Sequence, residues 1–308
     1  MDLQAGRLIN IFTFLLISES FAGLLTNVYI ASVPLYDYFK KANLSTSDKL
    51  IVALCVSNVY CALLNGVFLL TINMWPDINT DINIMGIFMT LQIFGISSSV
   101  WITVCLCLFY FIKIINFSSG PLGWMKMKIN VVVPWLIVLS EVVALGCSLL
   151  TRIPSVIKEF YYNYSLDYFQ TLNVTSRPNV IPIHYMSIYI IGLFVPLLTM
   201  LVITFVTAGS LYLHIRRMKK NMGTSSNSAA HQSVVWTMIR LLILYTAILV
   251  ASLLYTLKIF TSTNFAFFTI LMILYSFPLV ASVILILGNP KLKKPLMTMY
   301  NCSVGCKK

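Results

Sequence analysis

Ionisable side chains are the groups best able to do chemistry, and the long apolar runs of this sequence hold few of them. The runs contain two carboxylates, Glu19 and Glu141. A charge within a membrane is costly and usually marks a functional or structural contact. Asn27 follows Glu19 by two turns. We expect Glu19 either to make a polar contact that ties its segment to the neighbouring ones or to be a protonated, hydrogen-bonded carboxyl. Glu141 has no partner in the nearby sequence, and we expect a structural role for it.

The sequence contains no motif for catalysis by other side chains. His184, His214 and His231 fall at the edges of apolar runs or in a loop, and no metal-ligand spacing or glycine-rich phosphate loop occurs. Residues 265–287 contain no Lys, which excludes a retinal Schiff base in the last run. The sequence therefore predicts no enzyme, no cofactor and no metal site.

Polar residues in the third run indicate a pocket. Gln92, Ile96 and Ser99 follow i, i+4, i+7 spacing and share one helical face. Small serines are also common where membrane helices pack closely. Close helix packing is the favoured explanation for Ser99. Gln92 is bulkier, so a pocket lining is the favoured interpretation there.

The elements that carry these residues are apolar and of membrane length. Hydrophobic residues make up 59% of the 308 and charged residues 10%, with a mean hydropathy of +0.88, whereas soluble domains carry about 25% charged residues. The sequence predicts an all-α membrane protein, a single seven-transmembrane helix bundle spanning 1–308. The predicted segments one to seven are 8–33, 50–74, 84–112, 129–149, 183–213, 237–257 and 265–287, followed by a short amphipathic cytoplasmic segment at 289–300.

The basic residues predict the orientation of the bundle. Most of the 21 Lys and Arg lie between segments one and two, three and four, and five and six, or after segment seven. Basic loops stay on the cytoplasmic side, so the N-terminus is predicted outside and the C-terminus inside. The net charge of +12 then fits contact with anionic lipid rather than with nucleic acid.

Two kinds of modification are predicted from this topology. Asn163 and Asn173 are sequons in the long outer loop, where glycosylation takes place. Cys302 and Cys306 follow the last segment and are either candidate palmitoylation sites or plain thiols. No cysteine falls in a predicted outer segment, which argues against a disulfide-bonded ectodomain.

The ends of the segments resemble a known family. Residues 101–118 read WITVCLCLFYFIKIINFS, residues 210–219 read SLYLHIRRMK, and residues 276–278 and 282–292 read SFP and SVILILGNPKL. These stretches are similar to the bitter taste receptors, the type 2 taste receptor family of G-protein-coupled receptors. The resemblance covers the whole chain.

Five positions depart from the pattern of that family. Asn58 stands in place of the usual Arg of segment two, and Ala281 in place of the His of segment seven. Gln92 replaces a frequent Trp, Ile96 a frequent Asn, and Leu271 a residue that is acidic in some members. The first two changes affect the usual resting-state polar network, and the last three affect ligand preference.

The resemblance implies that a bitter compound binds in an outer pocket and that a heterotrimeric G protein of the gustducin or inhibitory type binds inside. The ligand-binding residues it implies are Gln92, Ile93, Ile96, Ser99, Tyr189, Ile248 and Leu271. Those facing the G protein are Tyr110, Lys113, His214, Arg216 and Arg217, although the Lys and Arg also fit plain anchoring on the inner leaflet. The intramembrane polar residues that support the bundle are Glu19, Asn27, Asn58 and Ser282.

Two other functions remain open on the sequence alone. A vomeronasal-type pheromone receptor shares much of the pattern, and a small membrane carrier would also be apolar. The stretches FYFIK and ILILGN favour the taste receptor, and few intramembrane charges argue against a carrier. All three hypotheses predict a multi-pass protein of the plasma membrane. The agonists, the breadth of tuning and the oligomeric state are not fixed by the sequence.

Overall fold

Long helices make up this protein. The computed structural model describes residues 3–41, 43–75, 82–115, 120–150, 190–221, 227–257 and 265–305. Within these ranges the helices are α1 Leu3–Lys41, α2 Thr46–Met74, α3 Ile82–Ile114, α4 Gly120–Met127, α5 Ile129–Leu150, α6 Val195–Asn221, α7 Asn227–Thr256, α8 Phe265–Gly288 and α9 Pro290–Gly305. Seven of them, all but α4 and α9, are long and apolar enough to cross a membrane. The predicted seven-helix membrane bundle is confirmed.

The helices pack as a ring around α3. α1 lies against α2 and α8, and α7 lies between α6 and α8. α3 contacts α2, α5, α6 and α7, so residues on its different faces meet four neighbours. A polar group on α3 is thus placed to join several helices at once.

The outer surface of the bundle is strongly apolar. Phe14 is 72% exposed, Trp135 72% and Phe205 71%. Large aromatic side chains exposed along the middle of long helices are suited to the hydrocarbon core of a membrane, because lipid chains are as apolar as they are.

One end of the bundle collects positive charge, and we call it the basic end. It carries Lys40, Lys49, Lys113, Lys126 and Lys291. There α2 begins with a side-chain cap, since the Ser45 hydroxyl accepts a hydrogen bond from the Asp48 backbone N–H at 3.2 Å. The basic end is the side that the distribution of Lys and Arg predicts to be cytoplasmic.

The short helix α9 is attached to the basic end by its first turn. Asn289 caps it, its Oδ1 accepting from the Lys291 backbone N–H at 3.0 Å. Leu292 is 1% exposed, and its carbonyl accepts a hydrogen bond from the Tyr29 hydroxyl of α1 at 3.1 Å. These contacts tie the segment after the last membrane helix to the first one.

Several helix bounds differ from the predicted segments. α1 continues through Pro34 to Lys41, eight residues past the predicted end, and α7 begins at Asn227 rather than 237. Apolar length marks the part of a helix within lipid, whereas the helix itself extends beyond it into the polar region. α4 was not predicted; it starts at Gly120, whose φ of +83° suits glycine, and Pro121 follows.

α6 has an unusual start. A π-helical turn, Ile190–Phe194, comes directly before it, and Pro196 is its second residue. Proline has no N–H to bond the carbonyl four residues back, which accounts for the widened turn at this point. The predicted residues 183–189 of this segment lie outside the described residues.

Five cysteines of the described residues lie in the interior of the bundle. Cys55, Cys61, Cys105, Cys107 and Cys147 are all buried and all free thiols. They behave as small apolar side chains in the core between α2, α3 and α5.

Candidate functional site

A cavity opens between α3, α7 and α8 in the half of the bundle away from the basic end. Its volume is about 130 Å³, and Phe68 of α2 and Leu193 of the π-helical turn close its sides. Five of the residues predicted to bind ligand lie in its wall, namely Gln92, Ile93, Ile96, Ile248 and Leu271. Their contact with a ligand stays a prediction, and Tyr189 lies outside the described residues.

Sequence reasoning missed other residues of the wall, although helical spacing points to them. Met85 and Met89 line the cavity and precede Gln92 by seven and three residues, on the same face of α3. Tyr255 follows Ile248 by seven residues on α7, and Tyr275 follows Leu271 by four on α8. Continuing the helical spacing from each predicted residue along its own face identifies them.

The polar groups at the cavity are neutral. The Gln92 side-chain amide donates to Asn65 Oδ1 of α2 at 3.3 Å, and Tyr275 of α8 lies in the same wall. Among the described residues of the wall none is Asp, Glu, Lys, Arg or His. Such a wall suits an uncharged ligand, because a charge placed there would lose its hydration without gaining a partner.

Ser99 does not line this cavity, unlike the ligand contact that the resemblance implies for it. It is fully buried, two turns deeper than Gln92 on the same face of α3. Its hydroxyl donates to Asn58 Oδ1 of α2 at 2.8 Å and lies 3.0 Å from the Tyr245 hydroxyl of α7. The shared face was correct, but at about 1.5 Å per residue Ser99 sits roughly 10 Å below Gln92, beneath the cavity floor.

The predicted polar residues of α1 and α8 join these two helices. Asn27 is fully buried, and its side-chain amide donates to the Gly23 carbonyl at 2.8 Å and to the Pro278 carbonyl at 2.9 Å. The Asn58 amide donates to Asn27 Oδ1 at 3.2 Å, which brings α2 into the same set of contacts. Ser282 lies 2.8 Å from Thr26 Oγ1 and donates to it.

The two carboxylates of the membrane segments have different surroundings. Glu141 Oε1 accepts a hydrogen bond from the Ser98 hydroxyl at 2.7 Å, which joins α5 to α3. Glu19 Oε2 is buried and has no hydrogen-bond partner among the described residues. The polar contact from this part of α1 to neighbouring helices is made by Asn27, through the Pro278 carbonyl and the Asn58 amide.

The residues predicted to face a G protein lie at the basic end. Lys113 is exposed and its Nζ lies 5.8 Å above the Phe109 ring, whereas Tyr110 is half-buried against the core. Arg216 is exposed near the end of α6. His214 and Arg217 belong to the same helix, and their side chains lie outside the described ones.

An ion-pair cluster joins three elements at the basic end. Lys291 Nζ of α9 lies 2.8 Å from Asp37 Oδ2 of α1 and 2.9 Å from Asp48 Oδ2 of α2. Burial alone would lower the pKa of Lys291, but the hydrogen bonds to Asp37 and Asp48 outweigh it and raise the pKa above its usual value. Lys291 therefore stays charged at physiological pH.

The modification sites fall mostly outside the described residues. Asn163, Asn173 and Cys306 lie beyond them, and Cys302 belongs to α9 with its side chain not described. Within the described ranges no three His, Cys, Asp or Glu side chains gather in a way that could hold a metal ion.

Comparison with known proteins gives the family. A sequence model described as "Taste receptor protein (TAS2R)" matches residues 5–304. The chain belongs to this taste receptor family. "Taste receptor type 2 member 8" of Gorilla gorilla gorilla is 30% identical to it over 313 residues, covering 96% of this chain and 97% of the relative. The human protein of the same name is 29% identical over 306 residues, covering 96% and 97%, and "Taste receptor type 2 member 117" of Rattus norvegicus is 26% identical over 294 residues, covering 93% and 90%.

Family membership establishes the general role. This taste receptor is a G-protein-coupled receptor of the bitter taste type and a multi-pass protein of the plasma membrane. Receptors of this family take small-molecule ligands and couple to G proteins. The predicted family and location are confirmed.

Proposed function

We propose that this taste receptor binds small, uncharged bitter compounds in the cavity between α3, α7 and α8. On ligand binding it activates a G protein of the gustducin or inhibitory type at its basic end. The observation that carries the proposal is the cavity itself, an apolar hollow with a polar group, Gln92, in a chain of the taste receptor family. Pockets for small molecules have this composition in general.

The size of the cavity narrows the ligand class. Its 130 Å³ is comparable to the roughly 150 Å³ cavity that holds benzene in an engineered protein core. Pockets for drug-sized ligands are larger, roughly 300–1,000 Å³. We therefore expect compounds of about one ring with one hydrogen-bonding group to fit the resting shape, and larger agonists to require side-chain movement.

Activation follows from a difference in affinity between two states. A ligand shifts the receptor toward the active state only if it binds that state more tightly. The basic residues at the opposite end of the bundle would then meet the G protein and the acidic leaflet. Lys113 and Arg216 support this proposal because both are exposed there.

The test is intracellular calcium in cells that express the receptor with a promiscuous chimeric G protein α-subunit. Cells are exposed to a panel of bitter compounds, and then Gln92→Ala is compared with Leu91→Ala. Leu91 is the matched control because it neighbours Gln92 on α3 but is 37% exposed on the outer surface. We expect a dose-dependent response that requires the α-subunit and that Gln92→Ala shifts by about tenfold or more, while Leu91→Ala does not.

Two outcomes would contradict the proposal in different ways. Silence of the wild-type receptor at confirmed surface expression, across neutral compounds of this size, counts against bitter-compound sensing. A response that Gln92→Ala and Leu91→Ala change equally would keep the receptor function and reject this cavity. Similarity to taste receptors favours a taste receptor over a pheromone receptor. A carrier would differ in the test because it would move solute without any α-subunit.

A further inference from the structure

Below the cavity, buried polar side chains of four helices form one continuous set of hydrogen bonds. We call it the Tyr245 network; its members are Asn27 of α1, Asn58 of α2, Ser99 and Thr103 of α3, and Tyr245 of α7. The first four are 0% exposed and Tyr245 is 1% exposed. The bonds run from Asn27 to Asn58 at 3.2 Å, on to Ser99 at 2.8 Å, and from there to Tyr245 at 3.0 Å.

The count of protons assigns the donor in this network. Ser99 uses its one hydroxyl proton on Asn58 Oδ1, and Thr103 uses its own on the Ser99 carbonyl at 2.7 Å. The Tyr245 hydroxyl lies 3.0 Å from both side-chain oxygens, so its proton is the one available for them. Tyr245 is thus the donor that joins α7 to α3.

The network lies one turn below the cavity on both helices that it joins. On α3 Ile96 lines the cavity and Ser99 follows it by three residues. On α7 Ile248 lines the cavity and Tyr245 precedes it by three residues. A ligand that changes the spacing of Ile96 and Ile248 therefore acts within one turn of the Tyr245 hydrogen bonds.

Asn58 makes this arrangement possible in this chain. A neutral amide can accept from Ser99 through its oxygen and donate to Asn27 through its nitrogen at the same time. An Arg side chain has five donors and no acceptor, so the Ser99 hydroxyl could not donate to an Arg at this position.

We infer that Tyr245 is a positioning residue that holds α7 against α3 in the resting receptor, with Asn58 orienting Ser99 to receive it. The inference rests on the proposed receptor function. Loss of the tyrosine hydroxyl leaves Ser99 and Thr103 with their other partners, so it weakens the link between the helices without leaving a buried donor unpaired. The population of receptors with α7 released then rises.

The variant that tests this is Tyr245→Phe, which keeps the ring and removes the hydroxyl. Its matched control is Thr207→Val, which removes another fully buried hydroxyl whose hydrogen bond stays within α6, to the Ile203 carbonyl at 2.6 Å. At equal surface expression we expect Tyr245→Phe to raise ligand-independent signalling by a factor of about five, the effect of one ordinary hydrogen bond. It should lower the half-maximal concentration of unrelated agonists by a common factor, because a shift in the resting equilibrium acts on all of them.

A second measurement does not depend on signalling. Hydrogen–deuterium exchange of purified receptor in detergent should be faster in α7 of Tyr245→Phe than in α7 of wild type or Thr207→Val. Unchanged or lower basal signalling, or equal exchange in α7 of all three proteins, would overturn the inference. If the wild-type receptor gives no signal through any α-subunit, the proposed function fails, and the exchange data alone decide whether Tyr245 positions α7.

Discussion

Gln92 shows how one side chain combines two tasks at the cavity. Its amide donates to Asn65 of α2, and Tyr275 of α8 lines the same cavity, so three helices meet around a neutral group. An amide offers both a donor and an acceptor, whereas the Trp frequent in the family offers only one donor. Ligands that accept and donate hydrogen bonds can replace these contacts, and this is the chemical basis of the selectivity that we expect.

Leu271 provides a test of the neutral character of the wall. It lines the cavity one turn before Tyr275, among apolar neighbours. We expect Leu271→Glu to weaken the response to neutral agonists by about tenfold and to improve the response to a cationic analogue, because only a cation would compensate the buried carboxylate. Dose–response curves for a matched neutral and cationic pair would measure this, with Leu271→Gln as the control of equal shape. Equal curves for the Glu and Gln variants would show that charge at this position has no effect on ligand choice.

At the scale of elements, α7 and α8 approach each other closely near the basic end. A Cβ placed on Gly288 would lie 1.9 Å from Thr237 Oγ1 of α7, and Ser233 donates to the Gly288 carbonyl at 3.4 Å. Only a residue without a side chain allows this spacing. The contact fixes the distance between the ends of the two helices on the side where a G protein would bind.

This spacing predicts opposite results for two glycines. Gly288→Ala forces α7 and α8 apart and should destabilise the receptor by about 1–3 kcal/mol, as overpacking does in protein cores. Gly209→Ala is the control, since a Cβ there meets nothing within 4 Å in the described part of the chain and alanine favours the helix. Thermal melting in detergent would compare them, and a Gly288→Ala protein as stable as the Gly209→Ala protein would show that the helices adjust without cost.

The Lys291 cluster should hold α9 in place. Lys291→Met leaves Asp48, which is 8% exposed, without its cation, and we expect a loss of about 1–2 kcal/mol, between the values for surface and for buried pairs. Lys291→Arg keeps the charge and should retain most of the stability. Melting temperatures of the two variants test this, and a Lys291→Met protein that melts with wild type would assign the attachment of α9 to Leu292 and Tyr29 alone.

At the scale of the whole molecule, the orientation in the membrane is the prediction that matters most for function. With the basic end inside, Asn163 and Asn173 are outside, and Asn116, which begins a further sequon (Asn116-Phe117-Ser118), is inside. Removal of N-glycans should shift wild type on a gel but not the double variant Asn163→Gln/Asn173→Gln, whereas Asn116→Gln should behave as wild type. A glycan lost on Asn116→Gln would reverse the topology, and with it the assignment of the G protein to the basic end.

The bundle could be predicted from the sequence because hydrocarbon demands long apolar helices. Spacing along α3 predicted that Gln92, Ile96 and Ser99 share one face, and contacts across the bundle bring that face toward α2, α7 and α8. The depth of each residue in the bundle was harder to predict. Nothing in the spacing of Gln92 and Ser99 shows where a cavity ends, and Ser99 lies below it. The partners of Asn58 and Asn27 could not be predicted either, because they depend on contacts between α1, α2, α3 and α8 that are distant in the chain.

The burial of the five described membrane cysteines has a practical consequence for studying motion. Cys55, Cys61, Cys105, Cys107 and Cys147 are enclosed by packed helices, so a water-soluble maleimide meets no thiol in that part of the folded receptor. With Cys302 and Cys306 changed to serine, a cysteine introduced at an exposed position such as Arg216 would carry a fluorescent or spin label at a single defined place. The helix movements of this receptor could then be followed by spectroscopy without rebuilding its core.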